Sequence, residues 1–447
     1  MLTIRGRGHR HCDGVSRRQF LRVGGLGVAG LTLADVLRAE STAPVKRPKS
    51  VIYVVLSGGL SHIDSWDLKP DAPAEFRGVF KPIKTKVPGA DICELFPRQA
   101  AMMDRMTLLR GVRSVENDHY LSEVYSGLPR TSGRRPSFGS VVSKLLGGDS
   151  PLPAYVSLGE GGGSDVFDFE KPHYAGAAHG PFRTFGAAVE NLQPVKDTAR
   201  LGDRKGLLSA FDTLRRDVDA SGAVAGLDRF QARALDMVTS PKVREAFDVS
   251  KEPARVLAGY GHKAGKYSHQ ADIKILYDWD ARPFVQARRL VEAGVRVVTL
   301  SVGSWDHHSG ANQQIFDSYK HVFPVLDQSI CALVDDLHAR GLSDDVLVCV
   351  LGEFGRTPKV SYPGPGREHW AEAGAMLFAG GGLAMGRVIG ETDSRAERSK
   401  SGTITFQNVM ATIYGVLGVD TATMLTDFNG RPQNLLDDAS PVRELVG

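Results

Sequence analysis

Short apolar runs that alternate with helical patterns constrain the fold of this chain more than any other feature. The runs VIYVVL (51–56), VRVVTL (295–300) and VLVCVL (346–351) are rich in β-branched residues. Strands of this composition are typically buried on both faces, and they occur mainly in parallel sheets with helices on either side. We therefore predict an α/β protein whose largely parallel sheet is covered on both faces.

The remaining segments supply further strands and helices for such a sheet. Strand candidates are 106–112, 153–159 and 374–382, and helix candidates are 118–128, 136–148, 403–419 and 315–342, the last broken near Pro324. Between about 185 and 285 the pattern changes to charged, helical segments, which predicts a helical insertion or cap. Residues 48–447 are thus expected to form one α/β domain that contains this insertion. Cys331 and Cys349 lie in apolar patterns and are expected in the core.

The N-terminal segment differs from the rest of the chain in charge. Residues 1–22 contain six arginines and one aspartate, a formal charge of +5, so the remainder carries −1 of the total +4. A near-neutral body gives no electrostatic case for nucleic-acid binding. SRRQFLR (16–22) precedes a Gly-rich apolar run (23–34) that is too short to span a bilayer as a stable helix.

Paired arginines before such an apolar run resemble a twin-arginine export signal. We expect residues 1–47 to be this signal and a linker, and the twin-arginine export machinery to be a partner. The mature protein is then exported, periplasmic or otherwise extracytoplasmic, with no membrane span. Two alternatives stay open: a disordered basic leader before an ordinary helix, and an uncleaved anchor, since no clean A-x-A cleavage triplet follows.

Ligand-type side chains follow three of the predicted strands, at the edge where open α/β sheets bind their ligands. They are His62 and Asp64 after 51–56, then Asp306, His307 and His308 after 295–300, then Glu353 and Arg356 after 346–351, with His369 in the later loop GREHW (366–370). Imidazole and carboxylate groups together suit a divalent metal, for which zinc, manganese and calcium are the candidates. The sequence therefore predicts a metal site at this edge.

Each member of this set also has an ordinary structural interpretation. A single acidic residue after a strand is usually a helix cap or a turn former, and Asp67 is the best example here. A single histidine is more often a surface residue or a hydrogen-bonded residue than a ligand. Adjacent His307 and His308 cannot easily both face a metal, so one is expected to support the other. The convergence of three strand ends and one loop is what favours the metal site.

Several motifs together resemble the alkaline phosphatase and sulfatase superfamily, in its uncharacterised twin-arginine-exported branch, the domain of unknown function 1501. They are GGLSHIDSWDLKPD (58–71), HYLSEVYSG (119–127), SWDHHS (304–309), LGEFGRTP (351–358), GREHW (366–370) and FQNVMATIYGVLGV (406–419). The resemblance covers most of residues 50–420. It implies a three-layer α/β/α sandwich of the alkaline-phosphatase-like type, with one or two divalent metals that act in the cleavage of phosphate or sulfate esters.

The resemblance also implies roles for individual residues. The metal ligands that it implies are Asp64, Asp306, His308, Glu353 and His369, with Glu353 in the place of an aspartate. His119 or His62 is expected to be the general acid for the leaving group, and Arg356 to clamp an anionic substrate. Two alternatives remain: His119 braces its helix, and Arg356 forms an ion pair within its loop.

The chain departs from the superfamily pattern at the nucleophile. Familiar members have serine, threonine or a modified cysteine ten residues before a glycine that matches Gly127, and this chain has Asn117 there. An amide is not a nucleophile of this kind. The Cys-x-Pro-Ser-Arg signature is absent, and Phe354 replaces a ligand histidine. A water activated by the metal is therefore the expected nucleophile.

The resulting expectation is an exported, metal-dependent hydrolase of sulfate or phosphate esters, acting on an anionic small molecule or a glycan ester. One alternative is a binding protein that kept the fold, lost turnover and holds a sulfated or phosphorylated glycan. Another is a structural protein that uses the metal only for stability. The missing nucleophile favours the alternatives, whereas acid, histidine and arginine at a ligand-binding edge favour the hydrolase or the binding protein.

Overall fold

A nine-stranded sheet organises the part of the chain that the structure describes. The structure is a computed structural model, and it describes residues 49–147, 152–159, 169–184, 240–261, 267–269, 272–277, 279–310, 314–400 and 402–447. The predicted export signal and linker (1–47) lie outside these residues, as do residues 185–239 of the predicted insertion. Both therefore stay predictions.

The strands and helices are numbered along the described residues. The strands are β1 (Ser50–Val55), β2 (Pro82–Ile83), β3 (Ile92–Cys93), β4 (Met106–Arg113), β5 (Tyr155–Ser157), β6 (Phe182–Arg183), β7 (Tyr267–His269), β8 (Asp272–Tyr277), β9 (Val297–Ser301), β10 (Val346–Leu351), β11 (Gly355–Arg356), β12 (His369–Trp370), β13 (Gly374–Gly380), β14 (Arg387–Ile389), β15 (Ile404–Thr405), β16 (Met424–Thr426) and β17 (Pro432–Asn434). The helices are α1 (His62–Ser65), α2 (Ala74–Arg77), α3 (Pro97–Met102), α4 (Ser122–Ser126), α5 (Phe138–Leu146), α6 (Pro241–Phe247), α7 (Ala254–Gly259), α8 (Arg282–Glu292), α9 (Ile315–Ala339), α10 (Phe406–Leu417) and α11 (Arg443–Val446). None of these helices has both the length and the apolar character of a segment that crosses a bilayer.

The direction of the strands brings several loops to one edge of the sheet. The sheet order is β14-β4-β13-β10-β1-β9-β5-β6, and β15 also pairs with β4. Strand β13 is antiparallel to both of its neighbours, and the other pairs are parallel. The carboxyl ends of β1, β4, β9 and β10 therefore meet the amino end of β13 at one edge, which we call the carboxyl edge. The prediction of a largely parallel sheet is confirmed.

Alternate residues of β1 belong to two separate cores. Ile52 and Val54 pack with residues of α8 and α9 on one face of the sheet. Val51 and Tyr53 pack with residues of α4, α5 and α10 on the other face. Successive side chains of a strand point to opposite faces, so a strand that is buried along its whole length requires helices on both. The predicted arrangement of a sheet between two helical layers is confirmed.

Helix α9 differs from the prediction because it is not broken near Pro324. It runs without interruption from Ile315 to Ala339. Proline removes one backbone donor from a helix. Here Pro324 is exposed, while Phe323 and Val325 on either side of it are buried, so their packing holds the helix together across the missing bond.

The described part of the predicted helical insertion contains both helices and strands. Helices α6 and α7 lie within residues 240–261, in agreement with the helical pattern there. Strands β7 and β8 then form an antiparallel pair of their own, separate from the main sheet. Charged residues had suggested helices throughout, but Asp272, Ile273, Lys274 and Ile275 alternate polar and apolar side chains, which is the period-2 pattern of a strand.

Asp64 and Arg367 form a buried ion pair between loops that are far apart in the chain. The Asp64 carboxylate accepts hydrogen bonds from Arg367 Nε at 2.6 Å, from Arg367 Nη2 at 3.0 Å and from Ser61 Oγ at 2.6 Å. Both side chains are at most 1% exposed. Arg367 also donates to the carbonyls of Phe76 and Thr357. The pair therefore joins α1, α2 and the loop that precedes β12.

Asp64→Asn is expected to lower the free energy of unfolding by about 3–5 kcal/mol, because it leaves the buried Arg367 charge without its partner. The matched control is Asp317→Asn, which breaks an ion pair with Lys320 in which both side chains are 55% exposed. That change is expected to cost no more than about 1 kcal/mol. Urea unfolding of the full chain measures both values. Equal losses in the two variants would contradict the structural role of the buried pair.

Candidate metal centre

The glycine turn after β1 allows three loops to meet at the carboxyl edge. Gly58 has a φ of +107°, and a Cβ at this position would lie 2.4 Å from the backbone nitrogen of Asp306. Its own N–H donates to Glu353 Oε1 at 2.8 Å. A residue with a side chain would push the loops apart, so the loops after β1, β9 and β10 approach closely only because position 58 is glycine.

Three histidines surround one aspartate at this edge. His119, Asp306, His308 and His369 each offer one ligand-type atom, and these atoms lie within 4.8 Å of one another. Asp306 Oδ1 is 2.7 Å from His308 Nε2 and 3.5 Å from His369 Nε2, and Oδ2 is 3.2 Å from His119 Nε2. His119 follows β4, Asp306 and His308 follow β9, and His369 lies in β12. We call these residues the four-residue cluster.

The second ring nitrogen, Nδ1, of each cluster histidine faces a hydrogen-bond acceptor. The contacts are from His119 to Glu353 Oε1 (2.7 Å), from His308 to Glu368 Oε2, and from His369 to the backbone carbonyl of Asn117 (3.0 Å). Carboxylates and carbonyls only accept hydrogen bonds, so Nδ1 carries the hydrogen in all three rings. Each Nε2 is therefore the atom that faces Asp306 and the centre of the cluster.

Arg356 compensates the charge of Asp306 from the side of the protein interior. Its Nη2 lies 2.5 Å from Asp306 Oδ1, its Nε donates to the Gly59 carbonyl at 3.0 Å and its Nη1 donates to the Arg367 carbonyl at 3.0 Å. The side chain is 0% exposed. The guanidinium is thus engaged within the protein, and the structure does not place it as a clamp for a substrate.

The charges in the cluster shift the pKa values of its members. Burial alone would raise the pKa of Asp306, but the three histidines and Arg356 hold it well below its usual range. Burial would lower the pKa of His119, but the carboxylates of Asp306 and Glu353 outweigh it and raise the pKa to about 9. Asp306 also raises the pKa of His308. The centre of the cluster therefore attracts positive charge, either as protons or as a metal ion.

The donor atoms of the cluster fit a metal ion. The Nε2 atoms of His119 and His369 are buried, and although both lie within 3.5 Å of Asp306, neither makes a hydrogen bond of good geometry with the described residues. A buried polar atom without a partner costs about 1–3 kcal/mol, and a metal ion would remove this cost. Three imidazoles and one carboxylate are a ligand set for zinc or manganese, whereas calcium takes six to eight oxygen ligands. Of the predicted metals, the set favours the first two.

Two predicted ligands lie outside the cluster. Asp64 is held by Arg367, because a buried carboxylate requires a compensating charge and Arg367 supplies it within the protein. Glu353 lies behind His119, with its side chain 2% exposed, and binds the imidazole and Gly58 N. The structure therefore brings together Asp306, His308 and His369 from the predicted set, and it adds His119, which was predicted as a general acid.

His62, the other predicted general acid, is buried beside the cluster. Its side chain is 1% exposed. Its Nε2 donates to the Ala396 carbonyl at 2.9 Å, and its Nδ1 accepts from the Arg356 backbone N–H at 3.4 Å. Burial lowers the pKa of His62, in agreement with one nitrogen that donates and one that accepts. With both nitrogens engaged, His62 connects the loop around Ala396 to Arg356 and does not face the cluster centre.

The aromatic ring of Phe354 lies beside two of the cluster histidines. The Phe354 ring lies 4.5 Å from the His369 ring and 5.4 Å from the His119 ring, measured between centroids.

The adjacent histidines His307 and His308 point in different directions. His308 faces the cluster, whereas His307 is buried against Tyr319 with its Nε2 2.8 Å from Ser318 Oγ. Only one of the pair reaches the centre, as the sequence suggested.

Sequence reasoning missed two groups that orient the cluster histidines. Glu368 stands next to the predicted ligand His369 in GREHW, so an acidic residue beside a candidate ligand was the available signal. Asn117 was noticed only as the residue in the place of a nucleophile. Its side chain is exposed, and it is the backbone carbonyl that contacts His369. No residue pattern marks a backbone carbonyl.

A match over nearly the whole of the described domain identifies the family. The family model described as "Protein of unknown function (DUF1501)" matches residues 48–446. The chain belongs to the DUF1501 family. None of the curated proteins matches this DUF1501 chain.

Several solved structures are similar to this DUF1501 chain at low identity. The PsFucS1 sulfatase from Pseudoalteromonas sp. is 11% identical over 94% of this chain and 77% of its own, with a TM-score of 0.39. The phosphonate monoester hydrolase of Agrobacterium radiobacter is 11% identical over 89% and 77%, with a TM-score of 0.37. The lipoteichoic acid synthase LtaP from Listeria monocytogenes is 10% identical over 89% and 90%, with a TM-score of 0.36. At these values the similarity assigns no activity to the chain.

Gly58→Ala is expected to destabilise this DUF1501 chain more than Gly89→Ala does. Both glycines have a positive φ, +107° and +80°, so both variants strain the backbone. Only at Gly58 would the new Cβ meet other atoms, and forcing a methyl group into a packed site costs about 1–3 kcal/mol. Urea unfolding of the two variants measures the difference. If both lose the same free energy, the close approach of Gly58 to Asp306 does not determine the geometry of the site.

Proposed function

We propose that this DUF1501 chain is an exported, metal-dependent hydrolase of sulfate or phosphate esters, with a fold of the alkaline-phosphatase-like type. The observation that supports it most is the convergence of three oriented imidazoles and one carboxylate at the carboxyl edge. In open α/β sheets, ligands bind outside the carboxyl ends of the strands. A zinc or manganese ion held there would supply Lewis acidity and lower the pKa of a coordinated water to about 7.

The residues of the chain prepare the site for such an ion. Arg356 balances the charge of Asp306, so the carboxylate is held in place without being buried alone. Glu353 and the other Nδ1 acceptors keep the three Nε2 atoms directed at the centre. The ring of Phe354 lies against His119 and His369 and makes that side of the site apolar. The substrate, an anionic small molecule or a glycan ester, would therefore approach from the open side of the carboxyl edge.

The geometry changes the roles that we assign to the predicted catalytic residues. A ring nitrogen that binds a metal ion cannot also donate a proton, so we assign His119 to the metal ligands. His62 and Arg356 are buried, and their polar atoms contact protein groups. We therefore assign both to positioning: Arg356 holds Asp306, and His62 holds the backbone of Arg356.

A second candidate function is a binding protein that has the same metal centre and no turnover. Asn117 favours it, because the residue in the expected place of a nucleophile has an exposed amide side chain and contributes only its carbonyl to the cluster. The engagement of Arg356 within the protein favours it too, since a hydrolase of anionic esters benefits from a cation that reaches the substrate. Such a protein would hold a sulfated or phosphorylated glycan through the metal ion.

Elemental analysis and an ester panel together test the two candidates. The purified full chain, dialysed against zinc or manganese, is expected to retain about one ion per molecule, in line with the one set of four ligands found among the described residues. Asp306→Ala and His369→Ala are each expected to lose this ion. The matched control is His338→Ala, which changes an exposed histidine on α9 and is expected to keep it. Aryl sulfate and aryl phosphate esters, with and without added metal, then measure turnover.

The results separate the candidates as follows. Metal-dependent hydrolysis of either ester that disappears in both cluster variants but not in His338→Ala supports the hydrolase. Stoichiometric metal without hydrolysis of any ester supports the binding protein. Hydrolysis that survives both cluster substitutions, or a chain that retains no metal, rules out the proposed site.

Export by the twin-arginine route is proposed from the sequence alone. Arg17 and Arg18 form the pair in SRRQFLR. Replacing both with lysine keeps the charge but removes the guanidinium groups, and the two residue types are not interchangeable in recognition. We expect the double variant to remain in the cytoplasm, as measured by fractionation of expressing cells. The control replaces Arg5 and Arg7 with lysine. An exported double variant at positions 17 and 18 would contradict this route.

A further inference from the structure

Glu368 holds the loop after β9 from the side opposite to Asp306. Its Oε2 accepts the hydrogen of His308 Nδ1, and its Oε1 accepts from the Ser309 backbone N–H at 3.2 Å and from Ser309 Oγ at 3.0 Å. Its own backbone N–H donates to Thr357 Oγ1 at 2.9 Å. One carboxylate therefore fixes two consecutive residues of the loop, while Thr357 fixes Glu368.

His308 is the most exposed of the three cluster histidines, and its hydrogen-bond partner Glu368 is also partly exposed. The side chain of His308 is 30% exposed, compared with 21% for His119 and 17% for His369. Glu368 is 42% exposed, whereas Glu353, which plays the matching part behind His119, is 2% exposed. Packing against neighbouring side chains holds the less exposed rings of His119 and His369 in place. The orientation of His308 depends more on its hydrogen bond, because less of the ring is enclosed by other side chains.

We propose that Glu368 is a positioning residue of the candidate metal centre: its carboxylate keeps the hydrogen on Nδ1 of His308 and holds the ring with Nε2 toward the metal ion. This inference rests on the proposed function, because it assumes that the cluster binds a metal. A carboxylate that accepts from the far nitrogen of a ligating histidine fixes its tautomer and orientation and raises the basicity of the ligating nitrogen. Glu368 contacts His308 and acts on the ion only through that ring.

Because both oxygens of Glu368 accept hydrogen bonds, a glutamine at this position would leave at least one of the donors of His308 and Ser309 without an acceptor. In the structure both oxygens accept hydrogen bonds, one set from Ser309 and one from His308. A glutamine amide has one oxygen and one NH2 group. If the glutamine oxygen accepts from Ser309, its NH2 group faces Nδ1 of His308. Nδ1 must then accept a hydrogen bond, and the ring hydrogen is on Nε2 instead. The nitrogen that should bind the metal would carry a proton instead.

Glu368→Gln is therefore expected to weaken zinc and cobalt binding by about 10–100-fold, the usual cost of losing such an orienting group. Affinity is measured on the full chain by competition with a chelator. The visible spectrum of the cobalt-loaded protein reports whether His308 still ligates the ion, independently of activity. The matched control is Glu372→Gln. Glu372 is 41% exposed and lies 3.5 Å from Arg113, outside the cluster, so this variant is expected to bind metal as the unmodified chain does.

His308→Ala and the metal-free proteins complete the test. Unchanged affinity in Glu368→Gln together with weakened affinity in His308→Ala would overturn the positioning role and leave the metal centre intact. Unchanged affinity in both variants would overturn the proposed function itself. A third result also counts against the role: if metal-free Glu368→Gln unfolds at a lower urea concentration and its cobalt spectrum is unaltered, Glu368 only stabilises the loop. Glu368→Asp keeps the charge and both oxygens, and is expected to recover part of the lost affinity.

Discussion

The contact between Arg356 and Asp306 is the interaction on which the candidate site depends. Asp306 follows β9 and Arg356 follows β10, and the guanidinium also donates to the carbonyls of Gly58 and Gly59 after β1. One buried cation thus joins three loops at the carboxyl edge. Without it, Asp306 would be a partly buried carboxylate whose charge only the cluster histidines could balance. The turn at Gly58 is compatible with this arrangement because no side chain separates it from Asp306.

A second arginine–aspartate pair extends this support away from the site. Arg356 Nη1 donates to the carbonyl of Arg367, and the side chain of Arg367 pairs with Asp64. Asp64 therefore influences the position of Asp306 without approaching the cluster. The ionisable groups near the carboxyl edge fall into two sets: those whose charges are balanced by a protein partner, and the cluster, where two buried imidazole nitrogens make no hydrogen bond of good geometry with the described residues. Glu353 Oε2, directly behind His119, likewise has no hydrogen-bond partner among the described residues, so an added cation would be held at the cluster and not at the Asp64–Arg367 pair.

This division explains which parts of the site could be predicted from the sequence. Asp306, His308 and His369 lie at a strand end or in the late loop, and the parallel order of β1, β9 and β10 brings those regions to one edge. Asp64 and Glu353 also follow strands of this sheet, and like Asp306 they carry carboxylate groups. They differ from Asp306 in their tertiary contacts: Asp64 pairs with Arg367, and Glu353 pairs with His119. No local pattern contains that information, because the partners are about 230–300 residues away along the chain.

The amino-acid sequence by itself determined the α/β class and the edge at which polar groups gather, because long buried strands must be apolar and the residues after them are free to be polar. Only the tertiary structure decided which of those groups face each other. It turned His308 inward and His307 away, used the carbonyl of Asn117 in place of its side chain, and placed Glu368 behind a ligand. The physical reason is that hydrogen bonds and ion pairs depend on distances and directions between loops, and these exist only once the sheet has assembled.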